Sequence, residues 1–244
     1  MPDTQIQMTQ PNATANSNSF EFEALTEARN YREYLIREFK PFLSGDVIEV
    51  GTGIGQMTEI LVQLAAIKRL IAIEPDADFC AKHRANFPKH ELIEGTIENL
   101  EAGSAWNSIL SINVLEHIQD DEGELRRYAA LLRERHGMLC LFVPARPEIY
   151  APIDKDFGHF RRYTKPELAG KLKDAGFEVE KLYYYNLPGY FAWWLNFCIL
   201  KKRAFEIDKV RFYDRVILPL VYFKESRIMR PPFGQSLLAV ARSV

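Results

Sequence analysis

Residues 47–61 read VIEVGTGIGQMTEIL, an apolar run that meets three glycines at every second position and then an amphipathic pattern. An apolar strand, a tight glycine turn and a helix start are typical of the first βα unit of a doubly wound sheet, which has its ligand crevice at the turn. Glycine lets the backbone approach a ligand closely, and amide groups at a helix start favour electronegative ligand atoms. The stretch therefore predicts a ligand site beside residues 51–55.

A second apolar strand, Leu70–Ile73, ends in the acid Glu74. Glu74 follows Gly51 by 23 residues, and in dinucleotide-binding units an acid about 20 residues after the glycine turn binds the ribose hydroxyls.

The spacing of the glycines separates two ligand classes. A dinucleotide-binding turn reads G-x-G-x-x-G, and its third glycine would fall on Gln56, whereas residues 51–55 read G-x-G-x-G. This pattern disfavours the alternative of an NAD-binding oxidoreductase.

Residues 49–55, with an acid in the strand before the glycines, resemble motif I of the class I S-adenosylmethionine-dependent methyltransferases. Three further segments agree with that family: IEPD at 73–76, GTIE at 95–98 and SINVLEHI at 111–118. The segment GHFRRYTKPEL at 158–168 looks like a signature of a bacterial branch that acts on small molecules and on envelope or natural-product intermediates. The resemblance implies a methyltransferase that uses S-adenosyl-L-methionine as its cofactor.

Apolar strands and amphipathic segments alternate along the chain. Five βα alternations followed by two strands predict an α/β fold. The resemblance implies the family's Rossmann-like, seven-stranded, mostly parallel sheet with an antiparallel edge hairpin. The predicted strands are Asp46–Val50, Leu70–Ile73, His90–Glu94, Trp106–Asn113, Met138–Val143, Val179–Tyr185 and Ser236–Arg242. The predicted helices are Phe20–Phe39, Gln56–Ala66, a helix that ends at Asn86, Asp121–Arg135 and a helix from the N-cap Thr164 to Ala175.

A helical insertion rich in aromatic residues is predicted between the last two strands. The resulting division is a disordered tail at 1–19, a methyltransferase domain at 20–186 and 234–244, and an insertion at 187–233 that forms an acceptor lid or a dimer interface. The apolar run Leu187–Leu200 is too short and too interrupted to span a bilayer. Its composition fits a helix packed on its own domain or on a dimer partner, and also peripheral contact with a membrane or an apolar substrate.

The composition, with 47% hydrophobic and 26% charged residues, is that of an ordinary soluble globular protein. A net charge of −2 provides no basic field for binding nucleic acid. The N-terminus is polar and lacks the apolar core of a signal peptide. The three cysteines are widely spaced and form no C-x-x-C pair, which argues against a disulfide framework and fits a cytoplasmic location.

The resemblance also implies which residues hold the cofactor. The glycine turn would wrap its methionine part, Glu49 would organise its ammonium group, and Glu74 would accept hydrogen bonds from the two ribose hydroxyls. Many relatives carry an acid directly after the glycine of the third segment to bind the adenine amine, but that residue here is Thr96. The candidate cofactor residues are Glu49, Gly51, Thr52, Gly53, Gly55, Glu74, Pro75, Thr96, Ile97, Glu98, Asn113 and Val114.

Methyl transfer is an SN2 displacement that needs alignment of nucleophile, methyl group and sulfur, plus a base if the nucleophile carries a proton of high pKa. Two histidines are candidates for the base: His117, one turn after Asn113, and His159, in the loop after the fifth strand. Each could instead have a structural role, beside the cofactor or in tethering the loop. We expect oxygen to be the accepting atom, with nitrogen, or carbon on an apolar or prenyl-like acceptor, as alternatives.

Aromatic and basic residues around the His159 loop are candidates for contact with the acceptor. The adjacent Arg161 and Arg162 point to opposite sides of an extended loop, so one of them could bind an anionic acceptor. Both could equally pair with nearby aspartates. The candidate substrate residues are Tyr150, Arg161, Arg162, Tyr163, Tyr185 and Trp193.

A short span of the sequence offers oxygen and nitrogen ligands for a metal, from Glu116, His117, Asp120 and Asp121. No second spaced cluster completes a site, and we expect no bound metal.

The expected partner is a small-molecule acceptor, with a homodimer through the insertion as a further prediction. A different class of function also fits the sequence: a cofactor-binding scaffold that has lost its chemistry and serves as a partner subunit.

Overall fold

The computed structural model describes residues 26–101 and 103–244. The predicted disordered tail at 1–19, and the first part of the helix predicted from Phe20, lie outside the described residues. The described chain forms one seven-stranded sheet in the order β3-β2-β1-β4-β5-β7-β6. The strands are β1 (Gly45–Val50), β2 (Ile67–Glu74), β3 (Glu91–Glu94), β4 (Ser108–Ile112), β5 (Met138–Pro144), β6 (Phe177–Tyr185) and β7 (Ser236–Ser243).

The first five strands pair in parallel, and β7 runs antiparallel between β5 and β6. The order reverses at β1, which lies between β2 and β4, so the carboxyl ends of these three strands flank a crevice of the kind in which doubly wound sheets bind ligands. The predicted Rossmann-like sheet with an antiparallel edge hairpin is confirmed.

Helices cover both faces of the sheet because alternate strand residues point to opposite sides. Ile48, Ile109 and Leu139 face a core that is closed by helices after β4 and β5, whereas Val47 and Leu110 face the other layer. The helices are α1 (Arg29–Phe39), α2 (Thr58–Leu61), α3 (Ala77–Asn86), α4 (Asp121–Arg133), α5 (Pro152–Asp156), α6 (Lys165–Asp174), α7 (Leu187–Trp193), α8 (Ile207–Phe212) and α9 (Leu218–Arg227).

Local signals explain several helix starts. Asp76 caps α3 by accepting hydrogen bonds from the Asp78 and Phe79 amides at 2.9 and 3.0 Å. Thr164 caps α6 in a reciprocal capping box with Glu167, as its sequence predicts.

Two of the differences in length between predicted and observed elements have a clear local cause. The helix predicted over Gln56–Ala66 is reduced to the single turn of α2, because the following amides bond to carbonyls three residues back and tighten the chain into turns. The fourth strand ends at Ile112 because Asn113 adopts a left-handed conformation with φ of +53°. This conformation redirects the chain into the crevice.

The segment between β6 and β7 forms two continuous helical stretches. The first joins α7 to a π-helical segment, Trp194–Ile199, and the second joins α8 and α9 through another, Tyr213–Ile217. Among the residues that the structure describes, no helix has the length and apolarity needed to cross a bilayer.

Two buried carboxylates connect these helical stretches to neighbouring elements through hydrogen bonds. Asp214 accepts hydrogen bonds from the Asn30 and Tyr31 amides at 3.0 and 2.8 Å, so it caps the first turn of α1 from 184 residues away. Glu225 accepts hydrogen bonds from the Asn186 and Leu187 amides at 2.8 and 2.9 Å. A negative charge at a helix N-terminus satisfies amides that have no partner within the helix.

We expect Asp214→Ala to lower the free energy of unfolding by about 1–2 kcal/mol, because two amides at the start of α1 lose a charged acceptor. Urea denaturation followed by circular dichroism measures this value. Asp208→Ala, in the same stretch but with its side chain 96% exposed, is the matched control and should change stability by less than about 0.5 kcal/mol. Equal effects of the two substitutions would contradict the capping role.

Candidate functional site

A cavity of about 340 Å³ lies at the carboxyl ends of β1, β2 and β4, where the sheet order reverses. The glycine turn after β1 forms one wall, the β2–α3 connection forms the second, and the residues after β4 form the third. Its lining includes Glu49, Gly51, Thr52, Glu74, Pro75, Asn113 and Val114 from the predicted cofactor set. Glu49 and Val114, which are 65 residues apart in the sequence, therefore line the same cavity.

Gly51 shows why a glycine is needed in this turn. Its φ is +68°, and an added Cβ would overlap with the Val114 side chain. Any side chain at this position would therefore strain the backbone and push apart two walls of the cavity. The next glycine, Gly53, also has positive φ, which turns its amide towards the end of β2.

The Glu74 carboxylate lies at the end of β2 and is 6% exposed. One oxygen accepts a hydrogen bond from the Gly53 amide at 2.8 Å, and the other accepts one from the Asp76 amide at 3.0 Å. Burial raises the pKa of Glu74, while these two amide bonds oppose the rise. The carboxylate is thus oriented before any ligand arrives, and each oxygen retains capacity to accept another hydrogen bond.

Glu49 lies beneath the glycine turn and is 3% exposed. The Thr58 hydroxyl donates to its carboxylate at 2.6 Å, and the Thr52 hydroxyl lies 2.8 Å from that of Thr58. Burial raises the pKa of Glu49 to about 7, although the threonine hydrogen bonds favour the ionised form. Because the folded protein holds this proton more tightly than the unfolded chain, Glu49 lowers stability progressively as the pH rises from about 4.5 to about 7.

The three residues predicted at the adenine site lie outside the lining of this cavity. Thr96 caps a 3₁₀ turn over Ile97–Asn99, Ile97 is buried in the hydrophobic core, and Glu98 forms an ion pair with Arg127 at 2.6 Å. Gly55 is likewise absent from the lining, since it lies against His83 and Phe87. The sequence pattern therefore identified the segment 96–98 but did not predict the contacts of its side chains.

The cavity wall also includes residues that the sequence interpretation did not assign to it. Asp76 and Phe79 lie at the start of α3 directly after the Glu74 strand end, so their proximity follows from a helix start beside the strand. The remaining additions are Val50, Gln56, Met57, Leu110, Ile112 and Phe157, together with His117, which had been predicted as a base. Phe157 comes from α5 and its following turn, an element that the apolar pattern did not predict.

A second cavity, of about 330 Å³, lies between the sheet and the helical stretches that follow β6. Its walls are largely apolar and aromatic, with Trp193, Phe197, Phe205, Val210 and Leu218 contributed by that segment. Asn113 and Phe157 line both cavities, so the two spaces share a wall. The positive φ of Asn113, stabilised by a 2.9 Å bond from its amide to the Phe142 carbonyl, places this residue at the junction.

His159 lies on the wall of the second cavity and His117 on the wall of the first. The centroids of their rings are 4.6 Å apart. A hydrogen bond from the Phe160 amide to the Glu116 carbonyl, at 2.8 Å, ties together the two loops that carry them. The two histidines, 42 residues apart in sequence, therefore form one cluster at the junction of the cavities.

The histidines differ in their surroundings. Burial, with a contribution from nearby His159, lowers the pKa of His117 to about 3, so its ring is neutral at physiological pH. His159 Nδ1 lies 3.0 Å from Asp154 Oδ1. Burial acts to raise the pKa of Asp154, but the His159 hydrogen bond and the Arg162 charge outweigh it and lower that pKa. The resulting carboxylate accepts the Nδ1 proton, which leaves Nε2 as the basic nitrogen of His159.

Glu116 belongs to the same cluster. One ligand atom from each of Glu116, His117 and His159 lies within 4.8 Å of the others. The sequence interpretation found no second group to complete a metal site, because His159 is distant in sequence. The expectation that the protein uses no metal stays a prediction.

The paired arginines have separate partners. Arg162 is buried, forms a 2.7 Å ion pair with Asp154 and stacks over Trp193 with its guanidinium carbon 4.4 Å from the ring centroid. Arg161 forms a 2.7 Å ion pair with Asp121. Arg162 and Trp193 line the second cavity, whereas Arg161 does not.

The three predicted substrate tyrosines lie outside the lining of the second cavity. Tyr163 and Tyr185 are completely or almost completely buried, and the Tyr163 hydroxyl donates to Asp121 at 2.9 Å. The Tyr150 hydroxyl donates to the His159 carbonyl at 2.7 Å. These side chains stabilise the fold and the His159 loop, and their contact with the acceptor stays a prediction.

Comparison with known proteins agrees with this geometry. A family model described as a methyltransferase domain matches residues 24–182, more than half of the chain. No curated protein matches the sequence.

Solved structures share the fold. A methyltransferase in complex with the Trm112 methyltransferase activator of Haloferax volcanii is 16% identical, with 94% of each chain covered and a TM-score of 0.63. An S-adenosylmethionine-dependent methyltransferase from Clostridium acetobutylicum is 12% identical, with 94% of this chain and 98% of that chain covered and a TM-score of 0.60. One from Archaeoglobus fulgidus is 15% identical, with 96% and 100% covered and a TM-score of 0.59.

At such identities the structural likeness establishes the fold, while the family match covers the glycine turn, the Glu74 strand end and the His159 loop. These findings favour S-adenosylmethionine over a nicotinamide cofactor, and an enzyme over a scaffold. The chain therefore belongs to the methyltransferase-domain family and is a class I S-adenosylmethionine-dependent methyltransferase.

Proposed function

We propose that this methyltransferase modifies an oxygen atom of a small, largely apolar acceptor that binds in the second cavity. The observation that carries the proposal is the shared wall of the two cavities, where Asn113 and Phe157 lie beside the His117–His159 pair. When bound, S-adenosylmethionine supplies a methyl group made electrophilic by the positive sulfur. An acceptor in the second cavity would meet that group at the junction.

The residues of the first cavity fit the cofactor. Glu74 presents a buried, pre-oriented carboxylate that can accept two ribose hydroxyls, which strengthens binding because charged acceptors form stronger hydrogen bonds. The close approach of the Gly51 turn to Val114 leaves backbone rather than side chains facing the methionine part. Glu49 would favour the ammonium group, since its buried carboxyl group lies directly beneath the turn and would ionise beside a positive charge.

The acceptor cavity favours a compact apolar compound over an anionic one. Its aromatic walls stabilise flat or apolar groups. Lys202 and Lys209 also line the cavity but pair with Glu206. Arg162 is the buried cation on this wall, but its charge is already balanced by Asp154 and its face is covered by Trp193. A phosphate or carboxylate would have to compete with that ion pair.

His159 is the better of the two candidate bases. Asp154 orients its ring and stabilises the positive charge that forms when Nε2 takes a proton. His117 has a pKa of about 3, so it holds a proton too weakly to act as the base near neutral pH. We assign His117 a positioning role beside the cofactor.

Nitrogen is the alternative accepting atom, and carbon on a prenyl-like acceptor is another. An amine nucleophile needs little help from a base, whereas a hydroxyl must lose its proton during transfer. The buried Asp154–His159 pair favours an acceptor that has such a proton to lose.

Glu74→Gln should weaken binding of S-adenosylhomocysteine by about 10- to 100-fold, because a neutral amide forms weaker hydrogen bonds to the ribose than a carboxylate does. Isothermal titration calorimetry measures the affinity, with NAD as a parallel titrant that should give no heat. Glu94→Gln is the matched control, since Glu94 ends the neighbouring strand β3 but pairs with Arg84 at the surface. Unchanged affinity of Glu74→Gln would contradict the cofactor assignment.

Binding of S-adenosylhomocysteine at about pH 6 should release a proton, because the ligand's ammonium group favours the ionised form of Glu49. The free protein holds this proton up to about pH 7, so the affinity should rise with pH through that value. Calorimetry in buffers of different ionisation enthalpy counts the protons released. Glu49→Gln should abolish both effects, and an equal proton release by this variant would show that another group titrates.

His159→Asn should lower kcat by about 10²- to 10⁴-fold, the usual contribution of a general base, while the affinity for S-adenosylhomocysteine stays within about twofold. The assay uses labelled S-adenosylmethionine with a panel of phenols, alcohols and amines. The exposed His136 provides the control variant His136→Asn. Full activity of His159→Asn would favour a nitrogen acceptor.

Treatment with EDTA should leave the rate unchanged if His159 acts as a base without a bound metal ion. A rate that falls on chelation and recovers with added Mn²⁺ or Zn²⁺ would contradict this role. It would instead indicate that Glu116, His117 and His159 hold a cation.

A further inference from the structure

The helical stretches after β6 have an apolar outer surface in addition to the side that packs on the domain. Eleven of the fifteen exposed large apolar side chains in the described part of the chain lie between residues 191 and 229. They are Phe191, Trp194, Leu195, Ile199, Leu200, Phe212, Val216, Leu220, Phe223, Ile228 and Met229. We call this set the outer apolar surface.

Helical spacing shows that these residues form stripes rather than scattered positions. In the second stretch, Asp214, Leu218, Val221 and Glu225 are buried at spacings of four and three, as expected for an inner face. Phe212, Val216, Leu220 and Phe223 recur with the same period but are 47–69% exposed. The exposed stripe therefore lies opposite the buried one on the same helix.

The first stretch repeats the arrangement. Trp193 and Phe197 are buried, whereas Phe191, Leu195 and Ile199 are about half exposed at intervals of four residues. Monomeric proteins seldom leave contiguous apolar patches of this kind in water, so the surface indicates a partner.

The charge of the segment identifies the chemistry of that partner. Residues 187–233 contain nine Lys and Arg against four Asp and Glu, while the rest of the chain contains 22 against 29. Several of the cations form ion pairs, but Lys201, Arg215, Lys224 and Arg227 are exposed and form none with other described residues. Arg227 also lies over Phe223, with its guanidinium carbon 5.7 Å from the ring centroid.

We propose that the outer apolar surface docks this enzyme onto an anionic lipid bilayer. Apolar and aromatic side chains beside exposed cations are the composition of helices that lie in a membrane interface, where lysine and arginine meet lipid phosphates. A second copy of the chain is a poorer occupant, because a two-fold symmetric contact would place the same positively charged segment against itself.

The acceptor cavity lies on the inner side of these same helices. Trp193 and Phe197 line the cavity, and Phe191 and Leu195, each two residues earlier, belong to the outer surface on the opposite side of the helix. An acceptor dissolved in the bilayer could therefore reach the cavity between helices that are already in contact with lipid. The inference that the acceptor enters from the bilayer rests on the proposed function. It makes the substrate class an amphiphile whose apolar body stays in the membrane.

Co-sedimentation of the full-length protein with vesicles tests the docking without cofactor or acceptor. We expect binding to vesicles that contain phosphatidylglycerol in phosphatidylcholine and at least about tenfold weaker binding to pure phosphatidylcholine. High salt should weaken the interaction, because it screens the attraction between exposed cations and lipid phosphates. Binding to neither kind of vesicle, or equal binding to both, would overturn the proposal.

The double variant Leu220→Ser/Phe223→Ser should reduce the partition coefficient for anionic vesicles at least tenfold, since burying each of these side chains contributes appreciably to binding. Val216→Ser and Val62→Ser form a matched pair, because the two valines are 47% and 42% exposed but only Val216 belongs to the outer surface. Val216→Ser should weaken vesicle binding and Val62→Ser should not. Equal behaviour of the pair would contradict the assignment of the surface.

Two further measurements separate this inference from the proposed function. All variants should bind S-adenosylhomocysteine as the unchanged protein does, which also shows that they fold. Light scattering without lipid should give a monomer, whereas a dimer that the Leu220→Ser/Phe223→Ser variant dissociates would assign the surface to self-association. Vesicle binding without S-adenosylhomocysteine binding would disprove the proposed function and leave the docking intact.

Discussion

The bond between the Glu74 carboxylate and the Gly53 amide is the contact on which the cofactor cavity depends. It joins the turn after β1 to the end of β2, and the second carboxylate oxygen continues the connection to the start of α3 through Asp76. A buried carboxylate is costly unless several donors satisfy it, so the position of the turn and the ionisation of Glu74 stabilise each other. The left-handed conformations at Gly51 and Gly53 allow the turn to reach this acid.

A second group of buried charges organises the wall of the second cavity. Asp154 accepts hydrogen bonds from His159 and Arg162, which orients the imidazole and balances the guanidinium within the same contact. The arrangement explains why adjacent polar residues have different roles: Arg162 supports the cavity wall under Trp193, whereas Arg161 ties the loop to Asp121. Breaking such a pair leaves an uncompensated buried charge, so its members act as a unit.

The helices after β6 have two roles, and each role uses a different face of the helix. Their inner faces line the second cavity and are held by the carboxylates of Asp214 and Glu225. Their outer faces retain apolar stripes at the same helical period. The domain covers one apolar side of these helices, and the proposed lipid surface would cover the other.

The sequence by itself determined the α/β sheet and the place of the ligand crevice, because strand periodicity, glycine spacing and the strand-end acid are local patterns. The antiparallel edge followed from the resemblance of its motifs to the methyltransferase family. The sequence also identified His117 and His159 as candidates for chemistry. Only the tertiary structure decided that these histidines meet, that Asp154 orients one of them, and that Tyr163, Tyr185 and residues 96–98 lie outside the lining of both cavities. Such outcomes depend on burial and on contacts between distant segments, and the spacing of residues along the sequence does not reveal these contacts.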